Sequence, residues 1–127
     1  MGGDKKFAFE NLEAYKVARM LVRDIYRLQN KFPKEERYAL GDQIRRSSTS
    51  ITSNIAEGTG RNSYKEKIHF IEIAFGSMTE SFSQLQNAQD LGYILEEEVE
   101  NLRPQFNHVA ALLSLLKKSY EKQLEQS

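Results

Sequence analysis

The side chains in this sequence with the clearest capacity for chemistry are five cations around one stretch rich in serine and threonine. Arg45 and Arg46 open that stretch, and Arg61, Lys65 and Lys67 follow it. An arginine or lysine that neutralises a phosphate releases a counterion, which is the main source of salt-sensitive affinity for nucleic acids. Arg45, Arg46, Arg61 and Lys65 are therefore candidate RNA- or DNA-binding residues.

Ion pairing within the protein is the alternative role for these cations. Asp42 and Arg46 are four residues apart, which places them within reach of each other on a helix surface. Glu57 and Arg61 could pair in the same way around the turn that follows. Short basic clusters are weakly specific signals for nucleic-acid binding, and this favours the structural role.

The stretch over 43–61 places isoleucines at helical spacing and hydroxyl groups between them. Serine and threonine are mediocre helix formers, so a helix of this composition needs neighbours to persist. Their small side chains also let backbones approach closely. We expect a contact helix, either within the fold or between subunits, whose candidate packing residues are Ser47, Ser48, Ile51, Asn54 and Glu57.

Asn54 and Glu57 add polar groups to a helix that is expected to bury one face. Paired with neighbours, they could fix the register of subunit packing, whereas buried and unpaired they would cost roughly several kcal/mol. The alternative to a packing role is that Glu57 is a catalytic residue. A lone carboxylate with no histidine nearby in the sequence is weak evidence for it.

The sequence offers little else for catalysis or metal binding. It has no cysteine, and His69 and His108 are its only histidines. Glu66 and His69 give one Glu-x-x-His spacing, whereas a di-iron bundle needs two such motifs and further glutamates. The glycines over 58–60 lack the ending of a phosphate-binding loop and any preceding strand, so they are most simply a turn. We expect no enzyme, no catalytic residue, no metal and no cofactor.

The length of the chain is that of one domain, and its basic and acidic residues are equal in number. The 127 residues carry 18 basic and 18 acidic side chains. That balance argues against a protein whose whole surface is basic and binds a polyanion. No apolar run approaches the roughly 20 residues of a membrane span. We expect a single cytoplasmic domain over 1–127, with flexible tails at 1–8 and 122–127.

Three segments repeat apolar residues at alternating spacings of three and four, which predicts helices that pack along one stripe. The first stripe is Ala14, Ala18, Leu21, Ile25, Leu28 and Phe32. The next is Tyr64, Ile68, Ile71, Phe75, Met78, Phe82 and Leu85. The last is Val99, Leu102, Phe106, Val109, Leu113, Leu116 and Tyr120. With the serine-rich helix, they predict an all-α, antiparallel, up-down-up-down four-helix bundle.

Helix boundaries follow from the glycines, prolines and caps. The first helix should end at Phe32 and the second begin at Pro33 or Lys34, because the residue before proline avoids helical geometry. Gly58 and Gly60 are suited to a left-handed helix end. The third helix should be capped by Asn62 or Ser63 and end at Gly92. The fourth should begin at Leu95 or Glu96 and be kinked at Pro104.

Apolar residues beyond the main stripes indicate a protein–protein surface. A monomeric bundle needs only one stripe per helix, yet the first and third predicted helices carry more. These additional residues are Tyr15, Val22, Tyr26, Phe70 and Ile73. We expect self-association, although broad core stripes could also absorb these residues.

The chain resembles the four-helix-bundle proteins encoded within intervening sequences of bacterial 23S ribosomal RNA genes. The motifs that carry the resemblance are Phe9, Leu12, Tyr15, Ile25-Tyr26, Phe32-Pro33, Tyr38, Gln43 to Ser48, Ser50-Ile51, Asn54 to Gly58, Gly60-Arg61, Ala74, Gly76-Ser77, Glu80, Gln84-Leu85 and Leu91 to Tyr93. The resemblance implies an up-down bundle that assembles as a ring-like homopentamer. It implies no established activity.

These observations favour binding over catalysis. The leading hypothesis is a non-enzymatic, oligomeric bundle that acts as a scaffold associated with ribosomal RNA or another nucleic acid. The alternative is a protein-binding adaptor that makes no contact with nucleic acid.

Overall fold

The computed structural model describes residues 4–127, which contain four long helices and no strand. The long helices are α1 (Glu13–Gln29), α2 (Leu40–Thr59), α3 (Tyr64–Asp90) and α4 (Glu96–Gln126). Short 3-10 helices cover Ala8–Asn11 and Lys34–Glu36. Of the predicted tails, residues 1–3 lie outside the described range, whereas 122–126 continue α4 as exposed helix.

The helices form an antiparallel bundle in which α2 packs on α1 and α3, and α4 packs on α3 and α1. The predicted all-α four-helix bundle is thus confirmed. We call the end where α1 and α3 finish and α2 and α4 begin the upper end. There the Tyr93 hydroxyl donates to Glu36 at 2.8 Å, and Lys31 pairs with Glu98. At the lower end Lys117 pairs with Glu72 at 3.0 Å.

The predicted stripes of α1 and α4 face the core. Their buried members in α1 are Ala14, Ala18, Leu21 and Ile25, and those in α4 are Val99, Leu102, Phe106, Val109 and Leu113. Burial of these side chains stabilises the fold by about 25 cal/mol for each Å² of apolar surface removed from water. Spacings of three and four keep each stripe on the inner face.

The stripe predicted for α3 is only partly right. Phe75 is 38% exposed, and Phe82 lies at the edge of the core. The buried face is instead shifted toward small residues and consists of Ile71, Ala74, Ser77, Met78, Ser81, Gln84, Leu85 and Ala88. The reason is that α3 lies against α2, whose own inner face is small and polar, and large side chains do not fit between closely spaced backbones.

The connection between α1 and α2 differs from the prediction. The helix α1 ends at Gln29, three residues early, and Phe32 N donates to Gln29 O at 3.0 Å in a tight turn. After one 3-10 turn, α2 begins only at Leu40, because Ala39 has non-helical dihedral angles (φ −120°, ψ −107°). The Glu36 carboxylate accepts from Leu40 N at 3.2 Å and so helps to start α2.

Most of the other boundary predictions are confirmed. Ser63 caps α3 by accepting from Glu66 N at 3.1 Å, and Gly92 follows α3 with φ +81°. Pro104 lies inside α4, as expected. The left-handed end predicted for α2 is wrong, because Gly60 has φ −82° and Gly58 is buried within the helix. Gly58 provides space rather than a backbone turn: an added Cβ would lie 3.0 Å from the Cβ of Phe70.

Candidate nucleic-acid interface

Arg45 and Arg46 lie in the first half of α2, near the upper end of the bundle. The Arg46 side chain is 80% exposed, and its Nε lies 3.0 Å from the Asp42 carboxylate. Arg45 is more enclosed: its Nη2 donates to the carbonyl oxygen of Arg37 at 2.7 Å and lies 3.8 Å from Asp42. The pairing of Arg46 with Asp42 that the spacing predicts is therefore present, yet most of Arg46 stays accessible to solvent.

Arg61 lies at the lower end, in the turn between α2 and α3. Its guanidinium is 3.0 Å from Glu57 and 3.7 Å from Glu66, and it stacks 4.6 Å from the ring centre of Phe70. These contacts hold Arg61 against the protein, and its buried Nε has no hydrogen-bond partner in the described part of the chain. The predicted Glu57 pair is present, and Arg61 thus stabilises the turn.

The structure does not bring the four candidate cations together. Arg61 lies beyond the end of α2, and the 13 residues of α2 that follow Arg46 span about 20 Å along the helix axis. Lys65 is exposed beside Arg61 and forms no ion pair within residues 4–127. Lys67 donates to Thr59 O at 2.8 Å and so supports the same turn. The candidate RNA- or DNA-binding residues are thus divided between the two ends of the bundle.

The hydroxyl groups of α2 form a polar seam with α3. The Ser47 and Ser81 hydroxyls lie 2.8 Å apart, and Ser47 Oγ lies 2.6 Å from Gln84 Oε1. Further along the seam, the Ser50 and Ser77 hydroxyls lie 2.8 Å apart. Buried polar groups are tolerated when they are hydrogen-bonded in this way. Two helices rich in serine can therefore pack closely without leaving polar groups unsatisfied.

The candidate packing residues occupy different environments. Ile51 is fully buried in the core, and Ser48 is buried with its hydroxyl donating to Arg45 O at 3.1 Å. Asn54 is half-buried and donates to Ser50 O at 2.8 Å. Glu57 is exposed in the single chain, and its role in packing between subunits stays a prediction. It lies on the outward side of the last turns of α2, within reach of Arg61.

The additional apolar residues also have several roles. Tyr15 packs edge-on against Phe9 with ring centres 4.8 Å apart, and Phe70 lies beneath Arg61. Ile73 remains 37% exposed, and Phe75, which was expected in the core, joins it on the surface of α3. Of the five predicted residues, Ile73 alone is a large, exposed apolar side chain, so the apolar surface available to a partner consists mostly of other residues.

Three residues that sequence reasoning missed lie beside Arg45. Lys34, Arg37 and Tyr38 belong to the short segment before α2, and they line a cleft together with Arg45. Tyr38 is 84% exposed, and the Arg37 guanidinium lies 5.7 Å from its ring centre. The adjacent Arg37 and Tyr38 after Pro33 were a usable signal. Their proximity to Arg45 was hidden because the segment was predicted to be part of α2.

Metal-binding and membrane-spanning features are not found in the described range. No group of three or more histidine, aspartate or glutamate side chains is placed to hold a metal ion within residues 4–127. His69 packs against Phe70 with ring centres 5.6 Å apart. Within the same residues, none of the helices has both the length and the apolar character needed to cross a membrane.

Comparison with known proteins places the chain in a family. Residues 10–115 match the model of the 23S rRNA-intervening sequence protein family. The chain belongs to this family. A solved structure of similar fold is a protein of unknown function from the S23 ribosomal protein family of Bacteroides thetaiotaomicron VPI-5482. It is 24% identical, with a TM-score of 0.75, and the match covers 83% of this chain and 98% of that one. Among curated proteins, none matches the sequence.

Membership confirms the resemblance drawn from the residues. The match includes all of α1, α2 and α3 and most of α4. The likeness to the Bacteroides structure supports the bundle fold alone, and neither comparison assigns an activity.

Proposed function

We propose that this protein is a non-enzymatic, self-associating bundle that associates with RNA, with ribosomal RNA as the first candidate, in the cytoplasm. The observation that best supports this proposal is the exposed positive charge at the upper end. Arg46 is 80% exposed there although it pairs with Asp42, and Lys34 and Arg37 form no ion pair within the described residues. Cations that are not neutralised by the protein remain free to neutralise phosphates.

The lower end contributes less to this proposal. Arg61 is held by two glutamates and by Phe70, so an incoming phosphate would have to displace these contacts. Lys65 is exposed there, forms no ion pair within residues 4–127, and is retained as a secondary contact. RNA association is therefore assigned chiefly to Arg45 and Arg46 and their neighbours before α2.

Salt-dependent RNA binding tests the proposal. We expect the logarithm of the affinity to fall linearly with the logarithm of salt concentration, with a slope of about −0.7 for each phosphate neutralised on a single strand. Changing both Arg45→Ala and Arg46→Ala should reduce the magnitude of that slope by about 1.4. The matched control, Lys118→Ala with Lys122→Ala, removes the same charge from the exposed lower part of α4 and should leave the slope unchanged.

RNA binding that is absent at low salt would overturn the proposal. Equal losses in the arginine and lysine double variants would also contradict it, since such a result indicates a general charge effect. Circular dichroism of both variants should match the parent protein, because all four side chains lie outside the core.

Self-association as a pentamer is the second component of the proposal. Exposed apolar side chains on α3 and α4 support it, notably Ile73, Phe75 and Leu115. A ring would present five upper ends together, and multivalency would strengthen weak individual contacts. Sedimentation equilibrium should then give about five times the chain mass of 14.7 kDa. A mass equal to one chain at micromolar concentration would remove this component.

A protein-binding adaptor is the alternative function, and one groove favours it. Leu12, Leu112, Leu115 and Leu116 line an apolar groove of about 230 Å³ between the start of α1 and the lower half of α4. Apolar grooves of this kind suit a protein partner. RNA binding that is absent together with a chain that remains monomeric would favour the adaptor over the scaffold.

A further inference from the structure

A cleft of about 510 Å³ opens at the upper end, between the end of α1, the segment 33–38 and the first half of α2. Its size is within the roughly 300–1,000 Å³ of ligand sites. The polar residues that line it include three cations and no carboxylate, and those used below are Gln29, Asn30, Lys34, Arg37, Tyr38 and Arg45. The cleft is thus electropositive, although the chain as a whole has no net charge.

Three carboxylates lie close to these cations in the sequence. Glu35 is exposed and does not line the cleft, whereas Glu36 and Asp42 are held by other contacts. Glu36 accepts from the Tyr93 hydroxyl at 2.8 Å and from Leu40 N at 3.2 Å. Asp42 pairs with Arg46 at 3.0 Å and lies farther, at 3.8 Å, from Arg45. Lys34 and Arg37 form no ion pair within residues 4–127, so the positive charge of the cleft is left for a ligand.

Arg45 is held in place at the base of the cleft. Its Nη2 donates to Arg37 O at 2.7 Å. Gly41 allows this contact, because an added Cβ there would lie 2.8 Å from Glu36 O and 3.2 Å from Arg45 Nη1. The segment before α2 can therefore lie directly on α2 and fix the guanidinium. A cation that is already positioned loses less freedom when it binds an anion.

Tyr38 supplies a flat surface at the mouth of this basic cleft. Its side chain is 84% exposed, and the Arg37 guanidinium lies 5.7 Å from its ring centre. A single exposed aromatic residue needs no explanation by itself. Beside three cations, however, it completes the combination of stacking surface and positive groove with which proteins hold single strands.

We infer that this cleft binds single-stranded RNA, with a backbone phosphate against Lys34, Arg37 and Arg45 and an adjacent base stacked on Tyr38. Gln29 and Asn30 also line the cleft and supply amides for hydrogen bonds to that base or its ribose. A duplex hides the faces of its bases, so it satisfies the cations but not Tyr38. This inference rests on the proposed function, and it adds the strand type and the means of recognition.

The test compares a fluorescent eight-nucleotide RNA with the same sequence in a duplex, using the full chain at low salt. Tyr38→Ala should weaken single-strand binding about 5- to 150-fold, the range for one lost base–aromatic stack. Tyr38→Phe keeps the ring and should stay within about two-fold of the parent protein. Duplex binding should change little in either variant. Because Tyr38 lies on the surface, both variants should fold, which thermal melting verifies.

Salt titration separates stacking from charge in the same assay. Tyr38→Ala should leave the salt slope unchanged, whereas Lys34→Ala should reduce its magnitude by about 0.7. A 5-iodouridine RNA should crosslink to Tyr38 under ultraviolet light in the parent protein.

Three results would overturn the inference while leaving RNA association intact: single-strand binding that Tyr38→Ala does not change, equal affinity for single strand and duplex, or crosslinks confined to the lower end. Competition by a phosphoserine peptide that is insensitive to Tyr38→Ala would overturn it in favour of a phosphoprotein site. Failure of the parent protein to bind any RNA would instead defeat the proposed function itself.

Discussion

Ser47 of α2 and Ser81 of α3 lie with their hydroxyl oxygens 2.8 Å apart, at a point where both side chains are buried. The contact joins residues 34 positions apart in the sequence and requires the two helix backbones to run close together. Ser77 and Ser50 repeat the arrangement farther along. The fit of α2 against α3 thus explains the serines at positions 47 and 50.

This close packing predicts that larger side chains will not be accommodated. Ser81→Leu should destabilise the protein by about 1–3 kcal/mol, since an overpacked core forces side chains or backbone to shift. Ser83→Leu places the same side chain on the exposed face of α3 and is the matched control. Urea unfolding measures both. Equal stability of the two variants would mean that the helices are not as close as described.

Gly58 should be intolerant of even one methyl group. Alanine usually stabilises a helix interior by roughly 0.5–1 kcal/mol relative to glycine. At Gly58, however, the new Cβ would lie 3.0 Å from the Cβ of Phe70 and 3.3 Å from the backbone oxygen of Lys67. We expect Gly58→Ala to lower the melting temperature and Gly60→Ala, whose nearest contact would be 3.7 Å, to leave it unchanged or raise it. The reverse order would contradict this assignment.

Arg61 should matter more for stability than for RNA binding. Arg61→Ala removes the contacts with Glu57, Glu66 and Phe70 and should cost about 1–2 kcal/mol, the sum of modest ion-pair and cation–π terms. Lys65→Ala removes a nearby charge that forms no ion pair within the described chain, and this change should cost little. Thermal unfolding of the two variants compares them. If Lys65→Ala is the more destabilising, the role given to Arg61 is wrong.

The Lys31–Glu98 ion pair predicts a loss of stability in acid. The hydrogen bond from Lys31, followed by that from Leu95 N, lowers the pKa of Glu98 below its usual 4.5. Since the folded-state pKa is the lower one, the stabilisation is complete above about pH 4.5 and is lost as pH falls through the folded value. The stability difference between the parent protein and Glu98→Gln should therefore be constant from pH 6 to 7 and shrink below about pH 4.5.

Glu97→Gln provides the control for that titration, because Glu97 is exposed and forms no ion pair within the described chain. Its stability relative to the parent protein should vary less with pH than that of Glu98→Gln. A Glu98→Gln difference that stays constant down to pH 3 would show that the contact with Lys31 contributes nothing to folding.

Local patterns in the sequence determined the helices and most of their ends. Alternating spacings of three and four were sufficient to identify the inner faces of α1 and α4. Ser63 and Gly92 were also readable, because a capping hydroxyl and a glycine with positive φ act within a few residues. The Asp42–Arg46 pair was readable for the same reason, since one helical turn fixes its distance.

Tertiary structure decided which residues meet across helices. The buried face of α3 turned from Phe75 toward Ser77, Ser81 and Gln84 because α2 offered a small polar surface, which no pattern within α3 specifies. Likewise, the basic residues that looked contiguous along the chain were divided between the two ends of the bundle by the length of α2. Arg45 instead lies beside Lys34, Arg37 and Tyr38. This arrangement depends on the contact of Arg45 with the Arg37 carbonyl, which the absence of a side chain at Gly41 allows. Helical periodicity is a local property, whereas the spacing between helices depends on how two surfaces fit. That fit determined which residues of α3 are buried and which residues form the candidate site.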